Sequence, residues 1–439
     1  MKKKYRIILY TSIFLLCVVA SIILVVKKSN SVYEEESKPK VVKHKSMLSM
    51  NLEQTAGSGD YKTVTQSSWP TEGYKFNAEL SKCENGSTLS WDDTKKAVIM
   101  QGNVSDKCYV YFDIWIPSIA DYCTSGTDLA TCVKNFGDQG PSVSNIYIHN
   151  SSLTNGAGDN SYRYAGANPN NFVCFGSDAS PCPIDNLYRI IGVFGENYHG
   201  ANGKQLVKLI KYDYMTTDEL GTDGDYSQTY KEWGMDSTYK GTYGDGERIG
   251  VYYWNYKATG SATNTWSTSL LNKTNLNTNF INNIGTTWAN KIATVTWKVG
   301  GNTWANIGTK TSSVAYTNEI TNPVTTNTTD NATTYSAKIG LMYVSDYGFA
   351  ASPDAWTLTM SSYNNTTATN NNWMYMGLYE WTISRDADYS YGAFGVSYVG
   401  YVGGYDVFSY RGVRASFNLE SSVSYVSGSG SMSDPIVIN

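Results

Sequence analysis

Histidine and closely paired cysteines are scarce in this 439-residue sequence, and their scarcity excludes several chemistries. The three histidines all lie before residue 200, and no Cys-x-x-Cys pair occurs. Zinc sites are usually built from closely spaced thiolates and imidazoles, so we expect no metal centre of that kind. A serine hydrolase needs a histidine base, yet the C-terminal half contains neither a histidine nor a Gly-x-Ser-x-Gly motif.

Charged residues are also few, at 16% of the chain against 41% hydrophobic residues. With 36 tyrosines and 39 glycines, this composition is typical of a β-rich secreted protein rather than a helical one. The net charge of −4 is unevenly distributed, because residues 1–45 carry +7 and the remainder carries −11. An acidic body argues against nucleic acid as a partner.

One long apolar run follows a basic N-terminus. Residues 7–26 contain no charged side chain, and their number matches the helix length that crosses the hydrocarbon core of a membrane. The basic residues before the run favour a cytoplasmic N-terminus. A signal peptide cleaved near Ala20 is the alternative, but the apolar run continues past that residue. We therefore predict a single-pass membrane protein with an extracellular C-terminus, in which residues 1–28 are the cytoplasmic tip and the anchor.

Six of the seven cysteines follow the apolar run, and an even number in an exported chain predicts disulfides. Six cysteines allow many pairings, but the clustering of these favours bridges between neighbours. The expected pairs are Cys83 with Cys108, Cys123 with Cys132, and Cys174 with Cys182.

Composition also divides the exported part of the chain. Residues 29–74 are polar and predict a stalk. Residues 75–117 predict a small β unit that is too small to be stable without a disulfide. Residues 118–163 predict a disulfide loop and connector, and residues 164–439 form the main domain. The fold class expected is mostly β, of α+β type.

Apolar runs in the main domain predict its principal elements. Residues 186–194 and 205–211 are expected to be strands, and residues 338–344 a buried strand. Residues 267–284 are the best candidate for a helix.

Residues 386–410 have the most unusual composition in the chain. This window holds six Tyr, five Gly, four Val, three Asp, three Ser, two Phe and two Ala, and no other residue type. All of these can be encoded by codons that end in a pyrimidine, whereas Lys, Glu, Gln, Met and Trp cannot. Randomising the first two bases of asparagine codons would produce such a set, which is how diversity-generating retroelements mutate their target genes.

The same composition suits molecular recognition. Tyrosine offers a large amphipathic contact area at low entropic cost, and Gly, Ser and Asp offer adaptable hydrogen bonding. The window therefore predicts a binding surface, diversified or ordinary; the alternative is a plain pair of strands with packed Tyr and Val neighbours. The predicted ligand contacts are Tyr389, Tyr391, Tyr398, Tyr401, Tyr405, Asp406, Phe408 and Tyr410.

Two motifs flank the window, EWTISR at residues 380–385 and RGVRASF at residues 411–417. We expect them to supply the framework of the surface, with a buried tryptophan and an arginine bound to a carboxylate or to backbone carbonyls. The predicted framework residues are Trp381, Arg385, Arg411 and Arg414.

The chain from Asn168 to its end resembles a group of membrane-anchored surface proteins of gut bacteria. The segments that carry the resemblance are NPNNFVCFGSDASPCPIDNLYRIIGVF, KIGLMYVSDYGFAASPDAW, NNWMYMGLYEWTISR, GVRASFNL and SVSYVSGSGSMSDPIVIN. EWTISR followed by GVRA is also similar to the core of the formylglycine-generating-enzyme type of C-type-lectin fold, which retroelement-diversified proteins use. The resemblance implies a C-type-lectin-like domain over residues 164–439, although residues 190–340 show no clear match to that fold.

This resemblance also raises an enzyme as the rival function. Formylglycine-generating enzymes bind copper through C-terminal cysteines and their sulfoxide-forming relatives bind iron through histidines, yet this chain has no Cys beyond Cys182 and no His beyond His199. A glycosidase pair of carboxylates is conceivable, but no spacing singles one out. The candidate carboxylates are Asp346, Asp354, Glu380, Asp386 and Asp388.

We therefore predict a non-enzymatic, adhesin-like binder of an extracellular protein or glycan, without a cofactor. A structural protein of the cell envelope is the alternative, but residues 190–439 show none of the repeats it would predict. A calcium ion among Asp218, Asp223 and Asp225 is a weaker possibility, since their spacing lacks the EF-hand pattern.

Overall fold

The computed structural model describes residues 47–439 apart from short stretches, namely residues 66–67, 71, 104, 196–198, 200, 202, 258–262, 324–332 and 365–369. The predicted membrane anchor at residues 7–26 and the first part of the predicted stalk lie outside the described residues. Within the described part of the chain, no helix combines the length and the hydrophobicity that a membrane crossing requires.

The chain divides into two compact units between Pro117 and Ser118. In the first unit, strands β1 and β7 run parallel at the centre of a sheet with the order β2-β1-β7-β3, and β4 also pairs with β7. Strands β5 and β6 form a separate hairpin. The strands are β1 (Met47–Glu53), β2 (Tyr61–Val64), β3 (Tyr74–Phe76), β4 (Lys82–Cys83), β5 (Thr88–Asp92), β6 (Ala97–Gln101) and β7 (Lys107–Ile114).

Strands β1 and β2 lie within the predicted stalk, so the stalk prediction is wrong for residues 47–64. Met50 and Leu52 lie two positions apart on β1 and pack with Val110 and Phe112 of β7 to form the core of this unit. Side chains two positions apart lie on one face of a strand, so two apolar residues are enough for β1 to contribute to this core. The polar residues around the pair hide it from a composition-based assignment.

The second unit contains seventeen strands in the described residues. These are β8 (Ile146–Ile148), β9 (Tyr162–Tyr164), β10 (Phe172–Cys174), β11 (Leu187–Phe194), β12 (Leu206–Lys211), β13 (Tyr226–Thr229), β14 (Gly250–Tyr253), β15 (Val295–Lys298), β16 (Thr334–Ala337), β17 (Ile339–Gly340), β18 (Glu380–Arg385), β19 (Gly392–Val396), β20 (Val402–Asp406), β21 (Tyr410–Arg411), β22 (Ser416–Asn418), β23 (Tyr425–Ser427) and β24 (Val437–Ile438).

Its helices are short. The α-helices are α1 (Leu129–Gly137), α2 (Pro141–Ser144), α3 (Thr217–Leu220), α4 (Tyr230–Trp233), α5 (Ile281–Ala289), α6 (Ser312–Tyr316) and α7 (Val344–Phe349). Two π-helical segments span Leu271–Phe280 and Thr317–Thr321. Single 3₁₀ turns span Ile119–Asp121, Ile184–Asn186, Trp266–Thr268, Pro353–Thr357 and Met360–Ser362.

The main sheet of this unit has the order β17-β22-β12-β11-β9-β8, and β10 also pairs with β11. Strands β11 and β12 are antiparallel and buried along their whole length, which accounts for their nearly continuous apolar sequences. Smaller sheets comprise β13-β14-β21, β15-β16, β18-β19-β20 and β23-β24. The predicted strands at residues 186–194 and 205–211 are confirmed, as is the mostly β, α+β fold class.

Two sequence assignments in this unit are wrong. Residues 118–163 are not a mere loop and connector, because they supply α1, β8 and β9. Leu129, Val133 and Phe136 form the buried face of α1 and join the main core. The predicted strand at 338–344 pairs only at Ile339–Gly340, and its remaining residues lead into α7.

All three predicted disulfides are confirmed, as Cys83–Cys108, Cys123–Cys132 and Cys174–Cys182. Because cytoplasmic thiols are kept reduced, three such bridges indicate an extracellular or otherwise oxidising location.

Several charged side chains of the second unit are buried in ion pairs. The carboxylate of Asp346 lies 2.5 Å from the Lys208 ammonium and 3.6 Å from the Arg163 guanidinium. Arg163 also lies 2.8 Å from Asp159. These partners hold the pKa of Asp346 below its usual value in spite of the opposing effect of burial.

Glu319 connects three separate segments from within the core. Its carboxylate accepts hydrogen bonds from the backbone N–H groups of Val344 and Ser345, at 3.0 and 2.9 Å, and from the hydroxyl of Ser384 on β18. Burial raises the pKa of Glu319 to about 6.

Candidate ligand-binding site

The window 386–410 forms the sheet β18-β19-β20 together with the motif that precedes it. Strand β19 lies in the middle and is buried at every residue, with Ala393 and Phe394 fully inaccessible. Its register places Ala393 opposite Tyr405 and Gly392 opposite Asp406 on β20. Part of the window is therefore core. Only its exposed and half-buried residues, here called the rim, are available to a ligand.

The rim borders a cleft of about 680 Å³. Among the described residues, four tyrosines and three aspartates contribute to its walls, and no lysine, arginine or histidine does. An apolar cleft with a few polar groups is the usual form of a ligand site. The lining residues are Trp304, Ala305, Asp386, Asp388, Tyr389, Tyr391, Gly392, Tyr401, Gly403, Gly404, Tyr405 and Asp406.

The most exposed tyrosines of the cleft lie on the turn between β18 and β19. The side chains of Tyr389 and Tyr391 are 55% and 45% exposed, and their ring centroids lie 6.0 Å apart. Two exposed aromatic rings side by side offer apolar surface against which a ligand can pack.

A buried asparagine fastens this turn. The side-chain nitrogen of Asn264 lies 2.6, 2.8 and 2.7 Å from the carbonyl oxygens of Asp386, Tyr389 and Gly392. Its backbone N–H donates to the carbonyl of Ser390 at 2.6 Å. The turn that carries the two exposed tyrosines is thus held through its backbone.

One wall of the cleft rests on a stack of aromatic rings around Arg411. The guanidinium carbon of Arg411 lies 4.5 Å from the ring centroid of Tyr379 and 5.1 Å from that of Trp381. Tyr405, a cleft residue, covers the same guanidinium. Burial lowers the pKa of Arg411, and the surrounding rings stabilise its charge by cation–π interactions.

Arg414 joins the two motifs that flank the window. It donates two hydrogen bonds to the carboxylate of Glu380, at 2.8 and 2.9 Å, and one to the carbonyl of Met374 at 2.6 Å. It therefore meets a carboxylate and a backbone carbonyl at once, where the sequence had left the two open. Both members of the pair are buried, and burial raises the pKa of Glu380.

The remaining framework residues are buried too. Trp381 is inaccessible to solvent and donates its indole N–H to the carbonyl of Tyr252, at 2.9 Å. Arg385 ends β18, beside the turn that carries Tyr389 and Tyr391, and is buried. The framework thus lies behind the rim.

The structure brings together five of the eight predicted contacts in the cleft, namely Tyr389, Tyr391, Tyr401, Tyr405 and Asp406. The other three are not among the residues that line the cleft, and their role as ligand contacts stays a prediction. Tyr398 packs against Tyr379, Tyr410 packs against Trp233 on α4, and Phe408 is 48% exposed but does not line the cleft. Strand β21, which contains Tyr410, pairs with β14, and the Tyr410 ring also packs against Tyr253 of that strand.

Seven of the lining residues were not among the predicted contacts, and three of these are glycines of the window, namely Gly392, Gly403 and Gly404. Asp386 and Asp388 lie within the window and had been considered only as possible catalytic carboxylates. Trp304 and Ala305 come from a distant part of the chain, and Trp304 stacks on Phe394 with ring centroids 6.2 Å apart. No local signal marks a residue that only tertiary packing brings to the cleft.

Two of the residues suggested as calcium ligands accept hydrogen bonds from other segments of the fold. Asp225 accepts backbone hydrogen bonds from Leu271 and Tyr256, at 2.8 and 3.2 Å, and Asp223 accepts one from the side chain of Asn279 at 2.7 Å. Across the described residues, Asp218, Asp223 and Asp225 do not form a metal-ligand cluster. The one group with such geometry contains Cys83 and Cys108, which are already joined in a disulfide.

No protein-family model, curated protein or solved structure matches the chain. The C-type-lectin-like fold and the relationship to retroelement-diversified proteins therefore stay predictions.

Proposed function

We propose that the second unit is an extracellular ligand-binding domain, displayed at the cell surface by the N-terminal anchor. The observation that carries the proposal is the cleft of about 680 Å³, walled by four tyrosines and three aspartates and supported by a buried strand. Rigid aromatic anchors beside adaptable polar groups are the chemistry of a recognition surface rather than of a bland sheet.

The charges of the cleft narrow the class of ligand. Asp386, Asp388 and Asp406 line it without a cationic side chain among the lining residues, so an acidic ligand would be repelled. A neutral glycan that stacks on tyrosine, or a basic protein surface, fits these walls. Both fall within the extracellular protein or glycan partner that the sequence predicts.

The test compares the intact protein with the double variant Tyr389→Ala/Tyr391→Ala on a glycan array and on immobilised basic proteins. Loss of two central aromatic anchors should weaken binding by at least about tenfold. Tyr256→Ala is the matched control, because Tyr256 is 44% exposed but does not line the cleft. Unchanged binding by the double variant would contradict the cleft assignment, and failure of the intact protein to bind either class would contradict the proposed function.

We further propose that the rim of the window is diversified. A reverse-transcriptase gene beside a near-copy of codons 386–414, with differences confined to adenines, is the expected genomic observation. The buried residues of β19 should vary less than the rim residues between copies, because volume changes in a packed core are destabilising. The absence of such a near-copy would contradict diversification but would leave the binding proposal intact.

A further inference from the structure

The second unit contains another cleft, of about 340 Å³, that shares no lining residue with the tyrosine cleft. Its walls include the aromatic rings of Phe172, Tyr212, Trp373 and Tyr375. Asn168, Asn170, Lys240 and Met432 are exposed and open it to solvent.

Arg189, on β11, lies at this cleft with its side chain only 4% exposed. Its guanidinium is held between the rings of Phe172 and Trp373, with its central carbon 4.4 and 4.6 Å from their centroids. It donates hydrogen bonds to the side-chain oxygen of Asn171 at 2.7 Å and to the carbonyls of Pro169 and Trp373 at 2.9 and 3.3 Å. All three acceptors are neutral, and a guanidinium carries further N–H donors.

This environment differs from that of three other buried cations in the unit. Arg163, Lys208 and Arg414 each lie within hydrogen-bonding distance of a buried carboxylate. Among the residues that line the second cleft, by contrast, none carries a carboxylate. Burial, reinforced by the charge of Arg414, lowers the pKa of Arg189 to about 9. A buried cation without an opposite charge is unfavourable, and an incoming anion would relieve it.

Lys240 adds a second cation to the lining of the cleft. Its ammonium lies 4.9 Å from the ring centroid of Tyr375, and its side chain is exposed. A buried arginine and an exposed lysine on one cleft favour an anionic group, because arginine fixes the orientation of a carboxylate and lysine contributes a point charge.

We propose that this second cleft binds an acidic monosaccharide, with its carboxylate directed to Arg189 and Lys240 and its ring against the aromatic wall. The volume suits one sugar ring rather than an extended chain. The exposed amides of Asn168 and Asn170 supply donors and acceptors for sugar hydroxyls. The tyrosine cleft, which is acidic, would not accept the same ligand.

Titration calorimetry of the intact protein with N-acetylneuraminate and with glucuronate tests the assignment. The methyl ester of glucuronate is the matched neutral ligand, and it should bind at least about tenfold more weakly because it lacks the charge. Acetate should bind more weakly than either sugar acid, because it cannot contact the aromatic wall. Equal affinity for the ester and the acid, or no binding of either sugar acid at millimolar concentration, would overturn the proposal.

Variants distinguish sugar-acid binding at this cleft from binding elsewhere on the protein. Lys240→Glu reverses one charge at an exposed position and should weaken sugar-acid binding by about tenfold or more without unfolding the protein. Lys231→Glu is the control, because Lys231 is equally a surface lysine but lies outside the cleft. Tyr389→Ala/Tyr391→Ala should leave sugar-acid binding unchanged. Wild-type affinity in Lys240→Glu, or an equal loss in Lys231→Glu, would refute the assignment.

Discussion

The guanidinium of Arg411 lies 3.6 Å from the ring centroid of Tyr405. This contact links a framework residue, in the motif that follows the window, to a wall of the tyrosine cleft. Because Tyr405 is half-buried against it and packs on the core, this tyrosine supports the fold as well as facing the cleft. Tyr389 and Tyr391, in contrast, are exposed and carry no comparable packing.

Tyr405→Ala should therefore lower both stability and binding. It removes a large ring and leaves the charge of Arg411 with less aromatic cover, so the free energy of unfolding should fall by about 3 kcal/mol. Tyr405→Phe keeps the ring and should remain within about 1 kcal/mol of the wild type. Chemical denaturation measures both variants, and an Ala variant as stable as the Phe variant would refute the stacking role.

Arg414→Met should destabilise the protein strongly. It leaves the buried carboxylate of Glu380 without its bidentate partner, and breaking a buried pair in this way costs about 3–5 kcal/mol. Arg248→Met is the matched control, because its ion pair with Asp185 is exposed and should contribute at most about 1 kcal/mol. Denaturation curves of both variants give the comparison, and similar losses for the two would contradict it.

Glu319 should make stability depend on pH in a defined direction. Its folded-state pKa of about 6 lies above the usual 4.5, so its stabilising contribution is complete below pH 4.5 and is lost as the pH rises through 6. Relative to Glu319→Gln, the wild type should lose about 2 kcal/mol between pH 4.5 and pH 7. The difference between the two proteins cancels the titration of other carboxylates. A difference that stays constant with pH would show that this carboxyl does not titrate in that range.

Asn264→Ala should loosen the turn that carries Tyr389 and Tyr391. The substitution removes a side-chain donor from three backbone carbonyls, so amide hydrogen exchange within residues 386–392 should accelerate. Ligand binding at the tyrosine cleft should weaken as well, because a mobile turn must be ordered on binding. Asn283→Ala is the control, since this exposed amide bonds the carbonyls of Asp218 and Glu219 on α3. Unaltered exchange in residues 386–392 would rule out the fastening role.

The sequence predicts the parts of this structure that depend on local chemistry. Apolar runs identify β11 and β12, and the spacing of the cysteines identifies all three disulfides. The unusual composition of residues 386–410 is likewise visible in the sequence, because it is a property of one continuous segment. These features need no knowledge of distant residues.

Other features depend on contacts between distant segments, and the sequence does not show them. Strand β1 pairs in parallel with β7, more than fifty residues away. Its few apolar residues do not predict a strand unless that partner is known. Trp304 reaches the cleft through tertiary packing. Composition also does not show which positions of the window are buried, because Gly and Ala on β19 are as suited to a packed strand as to a flexible loop.

Asn264 donates hydrogen bonds to four main-chain oxygens in residues 386–392. An attachment of this kind is indifferent to which side chains the turn carries, so residues such as Asp388, Tyr389 and Tyr391 can be exchanged while the turn keeps its shape. Under the proposed function, these main-chain bonds fix where the contact residues lie, whereas the side chains set which ligand they bind. Repeated replacement of the side chains would then change the target without changing the turn.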